Sequence, residues 1–140
     1  MLYMLDTNVV IDATNNKKYT KPILSHFLSI PVSDIAVCSI VVAELEYGAR
    51  HSRNYEQTSK VAMQFISPFE IVPFTQREAK IYGELREQLA KSGTPIGSND
   101  MLIAAVALAR NAVLVTHNTG EFERIRALKV EDWTKEKIGE

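Results

Sequence analysis

Four acidic residues stand just past short apolar runs or at the start of an apolar helix. Asp6 closes the run at 2–5. Glu44 lies one turn into the helix expected after the run at 35–38. Asp100 starts an Ala-rich apolar stretch, and Glu121 follows the run at 112–115 with Thr116, His117 and Asn118 between. In open parallel sheets, ligands bind outside the carboxyl ends of the strands, so these acids are expected on one rim. Carboxylates held a few ångströms apart repel, and one or more must take a proton unless a cation is present. Oxygen-only ligands favour Mg²⁺ or Mn²⁺ over zinc. Such a cation takes one or two carboxylates, and the others hold its waters. The chemistry suggested is hydrolysis of a phosphodiester by a metal-activated water.

The elements that must position these acids follow from periodicity. The apolar runs at 2–5, 35–38, 69–74 and 112–115 read as buried strands, and Val130 lies in a fifth. Thr7 caps a helix through about Ala13. Pro22 opens one with Ile23, Leu24, Phe27 and Leu28 on one face. Ser39 starts a helix through Leu45 and Ala49, and Asn54 caps another that Pro68 stops. Residues 75–91 form an amphipathic helix ended by Ser92-Gly93, and 101–110 form a buried one. Strand alternates with helix, so the expected fold is α/β, with a mostly parallel sheet flanked by helices.

Length and composition fit this. The chain has 140 residues, 46% hydrophobic and 24% charged, which reads as one domain over 1–140. A domain of this size buries roughly two-thirds of its unfolded surface. Charges number 16 basic and 17 acidic, a formal net of −1, so contact with phosphates needs a local basic patch. One divalent cation would move the net to about +1. The lone Cys38 excludes an internal disulfide framework and points to a reducing, cytoplasmic setting. No apolar stretch approaches the ~20 residues of a membrane span.

Each acid also has a plainer role. Asp6 serves as a strand-to-helix cap, Asp100 compensates a helix dipole, and Glu121 is a solvated surface acid. Glu44, mid-helix among apolar residues, is more informative, because Glu is rarely buried unpaired. Their joint placement after successive strands favours the functional reading.

The motifs in order resemble the PIN-domain family and, within it, the VapC toxins of bacterial toxin–antitoxin pairs. Met4-Leu5-Asp6-Thr7-Asn8 resembles the first family motif. Ser39 with Ala43-Glu44-Leu45 and Gly48-Ala49 resembles the second. Residues 93–97 with Asp100 and Ile103-Ala104-Ala105 resemble the third. Residues 114–118 with Glu121-Phe122, then 130–133, resemble the closing segment. The resemblance implies a three-layer α/β/α domain and a Mg²⁺- or Mn²⁺-dependent endoribonuclease, often cutting transfer RNA. It implies a cognate VapB antitoxin and a homodimer. It makes Asp6 and Asp100 metal ligands, Glu44 a ligand or water holder, Thr7, Asn8 and Ser39 carboxylate-orienting residues, and Thr116 a support of the rim. The sequence departs at Asn118, where many PIN domains carry an acid; Glu121 then supplies the missing carboxylate.

The residues by themselves leave other readings open. The loop histidine His117 reads as a polar loop residue, a base or an RNA contact. His26 and His51 show no partner spacing, and Cys38 is a small core residue. Trp133 caps the sheet edge or stacks on RNA. Lys17, Lys18, Lys21, Arg50 and Arg53 lie on a solvated surface or along an RNA backbone. Apolar residues at 20–30 and 54–67 suggest a dimer face. Two other functions remain: a catalytically weak RNA-binding or interaction module with a decayed metal site, favoured by Asn118, and a nuclease acting on DNA. A phosphotransfer enzyme using Asp6 as nucleophile is disfavoured, because Asn8 stands where a second Asp is wanted.

Overall fold

The computed structural model describes residues 1–15 and 17–135. Its strands are β1 (Tyr3–Leu5), β2 (Ile35–Cys38), β3 (Glu70–Val72), β4 (Val113–Val115) and β5 (Lys129–Glu131). They form one sheet in the order β3-β2-β1-β4-β5, and every neighbouring pair is parallel. The chain runs outward from β1 through β2 to β3, then returns to lay β4 and β5 on the other side. The switch of direction therefore falls at the central strand β1, whose carboxyl end is where such sheets form a crevice. Strands β2 and β4 are wholly buried and Met4 and Leu5 of β1 likewise. That explains why these strands read as continuous apolar runs rather than alternating ones.

Among the described residues, seven α-helices connect the strands: α1 (Thr7–Asn15), α2 (Thr20–Phe27), α3 (Ser39–His51), α4 (Tyr55–Ile66), α5 (Gln76–Lys91), α6 (Ser98–Ala109) and the short α7 (Thr119–Phe122). Helix α1 packs on α2, α3 and α4, and α5 packs on α6. Right-handed crossovers place helices on opposite faces when the winding direction reverses, which gives the expected three layers. Local signals account for several ends. Asn54 accepts the Gln57 amide at 3.1 Å and caps α4. Glu78 accepts the Thr75 amide at 2.7 Å in a capping box at the start of α5. Gly93, at φ 71°, takes the left-handed conformation that ends α5.

Some expectations are corrected. The third strand spans three residues, not six, and α6 begins at Ser98, which puts Asp100 within its first turn. Trp133 does not lie on a rim available to RNA. It is 1% exposed and stacks on His26, centroids 5.1 Å apart, with Phe27 edge-on at 5.2 Å and Tyr3 at 5.7 Å. His26 thus has a partner that its sequence spacing hid. Phe27 also packs on Phe65 and Phe69, 5.5 and 5.9 Å away. Much of the apolar excess at 20–30 and 54–67 is therefore spent inside the molecule, with Leu28 left 90% exposed. Cys38 is buried as expected, and burial pushes its thiol up to about 11.

Candidate active site

Sheet register builds the centre of the site. Leu5 pairs with Val115, so the residues that follow each strand, Asp6 and Thr116, stand side by side. The Asp6 amide donates to the Val115 carbonyl at 2.9 Å, and the Thr116 hydroxyl donates to Asp6 Oδ2 at 2.8 Å. The Thr7 amide donates to the other oxygen, Oδ1, at 2.8 Å. Asn8 on the first turn of α1 reaches both Asp6 Oδ2 and Thr116 Oγ1 at 3.4 Å. Asp6 and Thr116 are buried. Burial raises the Asp6 carboxyl above its ordinary range, and the charges of Glu44 and Glu121 add to the rise, against the opposing hydrogen bonds.

Helix α3 brings Glu44 to the same place. Its Oε1 accepts the Thr7 hydroxyl, and its Oε2 accepts Asn99 Nδ2 at 3.4 Å. Thr7 therefore joins Asp6 to Glu44, one through its amide and the other through its hydroxyl.

Asp100 and Glu121 form the opposite side. Glu121 Oε1 accepts the Gly97 amide at 2.8 Å, and Oε2 accepts Asn118 Nδ2 at 2.6 Å. These bonds, with one from Asp100, hold Glu121 below its ordinary range. Asp100 is pushed up to about 7, first by burial, then by the charges of Asp6 and Glu121 and its hydrogen bond to Glu121, with Glu44 last. The two carboxyls titrate as a pair, with the shared proton held up to about 7.

This arrangement sets a pH dependence. An unfolded Asp titrates near 3.9, whereas folded Asp100 keeps its proton to about 7. Between those values the folded chain binds more protons, so rising pH lowers stability. Asp6, also raised, works in the same direction; Glu121, lowered, acts only at more acidic pH. In chelator, the melting temperature is expected to fall as pH rises from about 5 to 8, and Asp100→Asn to flatten that slope. Scanning fluorimetry across the range checks it; an equal slope in the variant contradicts it.

The other expected site residues separate. Ser39 Oγ accepts the Phe74 amide at 3.1 Å, which fastens the segment after β3 to the start of α3 and uses only the acceptor side of the hydroxyl. Arg50 is engaged by Glu46 at 2.9 Å and lies over the Tyr55 ring at 3.8 Å, a commitment that competes with phosphate. Lys17 and Lys21 line one cavity with Thr20 and Leu24, Lys18 sits over the Tyr19 ring at 5.3 Å, and Arg53 is exposed. Sequence reasoning missed Asn99, whose only signal is its place beside Asp100, and the amide of Gly97. Asp132, within the closing motif, is assigned no role there, and Thr134 has no local signal; together they hold His117.

Among the described residues, no three acidic or imidazole groups close into a ready-made metal cage. The donor set nevertheless suits a hard divalent cation. Three carboxylates raise the proton affinity of a fourth, and a cation would relieve the same repulsion.

Comparison with known proteins decides the family: the PIN domain profile matches residues 3–128. The chain belongs to the PIN-domain family. This PIN domain is 43% identical over 136 residues to ribonuclease VapC2 of Rickettsia felis, covering 96% of this chain and 100% of that one. It is 39% identical over 131 residues to the tRNA(fMet)-specific endonuclease VapC of Salmonella typhimurium, covering 94% and 97%. The crystal structure of VapBC2 from Rickettsia felis bound to a promoter DNA fragment contains a PIN-domain chain similar to this one. The two superpose with a TM-score of 0.85 at 42% identity, over 95% of this chain and 99% of that one.

Proposed function

We propose that residues 1–140 form one domain that acts as the cytoplasmic toxin of a toxin–antitoxin pair, a Mg²⁺- or Mn²⁺-dependent endoribonuclease with transfer RNA as its expected target. The observation that carries this is the meeting of Asp6, Glu44, Asp100 and Glu121 outside the carboxyl end of the central strand, with Asp100 driven to about 7 by its neighbours. Asp6, Asp100 and Glu44 would hold the cation. When bound, it would stabilise charge on the scissile phosphate and make water a better nucleophile. The protein's part is geometric and protonic. Thr116 and the Thr7 amide fix the two oxygens of Asp6, and Thr7 and Asn99 fix those of Glu44. Glu121, kept charged by Gly97 and Asn118, accepts a hydrogen bond from Asp100, and would manage protons during the reaction. RNA rather than DNA is favoured by the ribonuclease relatives, and transfer RNA by the Salmonella one.

A VapB-type antitoxin is the proposed partner, as in the VapBC2 complex. A cavity of about 470 Å³ between α1, α3 and α4, lined by Val10, Ile11, Leu45 and Val61 with Glu44 at its edge, supports a seat for an apolar antitoxin segment beside the acids. A homodimer remains part of the proposal. Among the described residues no helix is long and apolar enough to cross a membrane.

The test is to incubate the purified protein with total RNA in Mg²⁺, Mn²⁺ or chelator and map the new ends. Discrete cuts that vanish in chelator are expected. Equal cutting in chelator, or cutting of DNA alone, overturns the proposal.

A decayed site is the competing reading that Asn118 raised. Asn118 instead donates to Glu121, a bond that an Asp could not make without taking a proton. Asn118→Asp is therefore expected to slow cleavage about tenfold, the size of one lost hydrogen bond to a charge. A faster Asn118→Asp enzyme in a rate assay would show that the site lacks an acid there.

A further inference from the structure

Beside the carboxylates stands an aromatic surface that the proposed chemistry does not use. Tyr19, in the turn before α2, and His117, just after Thr116, pair with ring centroids 5.1 Å apart, tilted at 45°. Lys18 brings its ammonium to 5.3 Å from the Tyr19 centroid. The His117 side chain is 46% exposed, yet it is held at both ends. Its amide donates to Asn8 Oδ1 at 3.2 Å, and its ring Nδ1 lies 3.2 Å from Thr134 Oγ1 and 3.4 Å from Asp132 Oδ2. Asp132 is itself pinned by the Thr134 amide at 2.9 Å and hydroxyl at 2.7 Å. Asn8 also reaches Asp6, so a single side chain separates this surface from the centre of the site. A surface imidazole ordinarily keeps its rotamer freedom, whereas this one is fixed in advance, which lowers the ordering cost of a ligand that stacks on it.

Resting on the ribonuclease reading, we infer that Tyr19 and His117 receive the base of an unpaired nucleotide flanking the scissile phosphate, with Lys18 against its backbone. Flat aromatic faces beside a cation suit a base and its phosphate, and stacking of this kind tolerates any base. The site would then select single-stranded or looped RNA at the cut.

The test uses the full chain and an RNA oligonucleotide spanning a mapped cut, with the flanking nucleotide intact or abasic. Binding is read by anisotropy in chelator, and kcat and KM with Mg²⁺. His117→Ala is expected to weaken binding and raise KM about tenfold with kcat little changed, and His117→Phe, which keeps a stacking face but loses the Nδ1 contacts, to recover part of both. The abasic RNA should bind wild type as weakly as intact RNA binds His117→Ala, and combining the two should add little. Three outcomes overturn the inference: His117→Ala with wild-type melting temperature and unchanged affinity, a loss confined to kcat, or a loss confined to antitoxin binding. If wild type cuts no RNA, the ribonuclease reading fails, and the stacking role is decided by anisotropy in chelator on a single-stranded oligonucleotide with and without scattered abasic positions, where equal affinity of wild type and His117→Ala for the intact strand overturns it.

Discussion

Asp6→Ala is expected to fold and to cut RNA at least about a thousandfold more slowly than wild type, and to lose growth arrest on expression. Cation stabilisation of a phosphoryl transition state is worth several kcal/mol, and each 1.36 kcal/mol is tenfold in rate. Asp6 is the acid at the point where all the others meet. It stands at the end of the central strand, fixed by Thr7 and Thr116, and its charge acts on Asp100. Removing it strips the site of a proposed ligand and frees Asp100 of one repelling neighbour. The cost in stability is limited. The Thr116 hydroxyl and Thr7 amide lose a partner, about 1–3 kcal/mol, while a carboxylate whose burial is unfavourable disappears. Asp6→Asn keeps the shape and should be as inactive. The measurement is single-turnover cleavage of a mapped RNA, with the melting temperature as control. A folded Asp6→Ala protein that cuts at full rate sinks the proposed site.

Trp133→Ala has the largest expected effect on folding. The indole is almost wholly buried among Tyr3, His26 and Phe27, and its Nε1 donates to Glu131 Oε1 at 3.0 Å. Truncating such a side chain costs about 3–5 kcal/mol, a large share of the 5–15 kcal/mol typical of a domain. The melting temperature should fall by roughly 10 °C or more, and Trp133→Phe should recover part of it. A shift within a few degrees in a denaturation experiment would mean that the segment after β5 contributes little to folding.

The acids and their strands were legible because the sheet is parallel. A buried strand writes a short apolar run, and the polar residue that ends it marks the carboxyl edge. Asp6 and Thr116 were found this way, and their contact follows from the Leu5–Val115 register. Contacts between segments far apart in sequence were not legible. Trp133 against His26 and Asn8 against His117 leave no mark on local periodicity. Ser39 lies where a carboxylate-orienting residue is expected, and its acceptance of the Phe74 amide, which ties the turn after β3 to α3, has no signal in the local sequence. Asn118 looked like a missing acid. Only the 2.6 Å bond to Glu121 shows it holding an acid in place.

The order in which the site is written into the chain has a consequence for synthesis. Asp6 is synthesised before Thr116, its hydrogen-bond partner, which lies 110 residues later. At 5–20 residues per second, that gap lasts roughly 5–20 s. The central strand must wait for β4 on one side, and Glu121 and Trp133 come later still. A nascent chain therefore carries Asp6 and Glu44 in an unassembled state until Thr116 and Glu121 have been made, so the site is completed by the later segments of the fold rather than by its first strand.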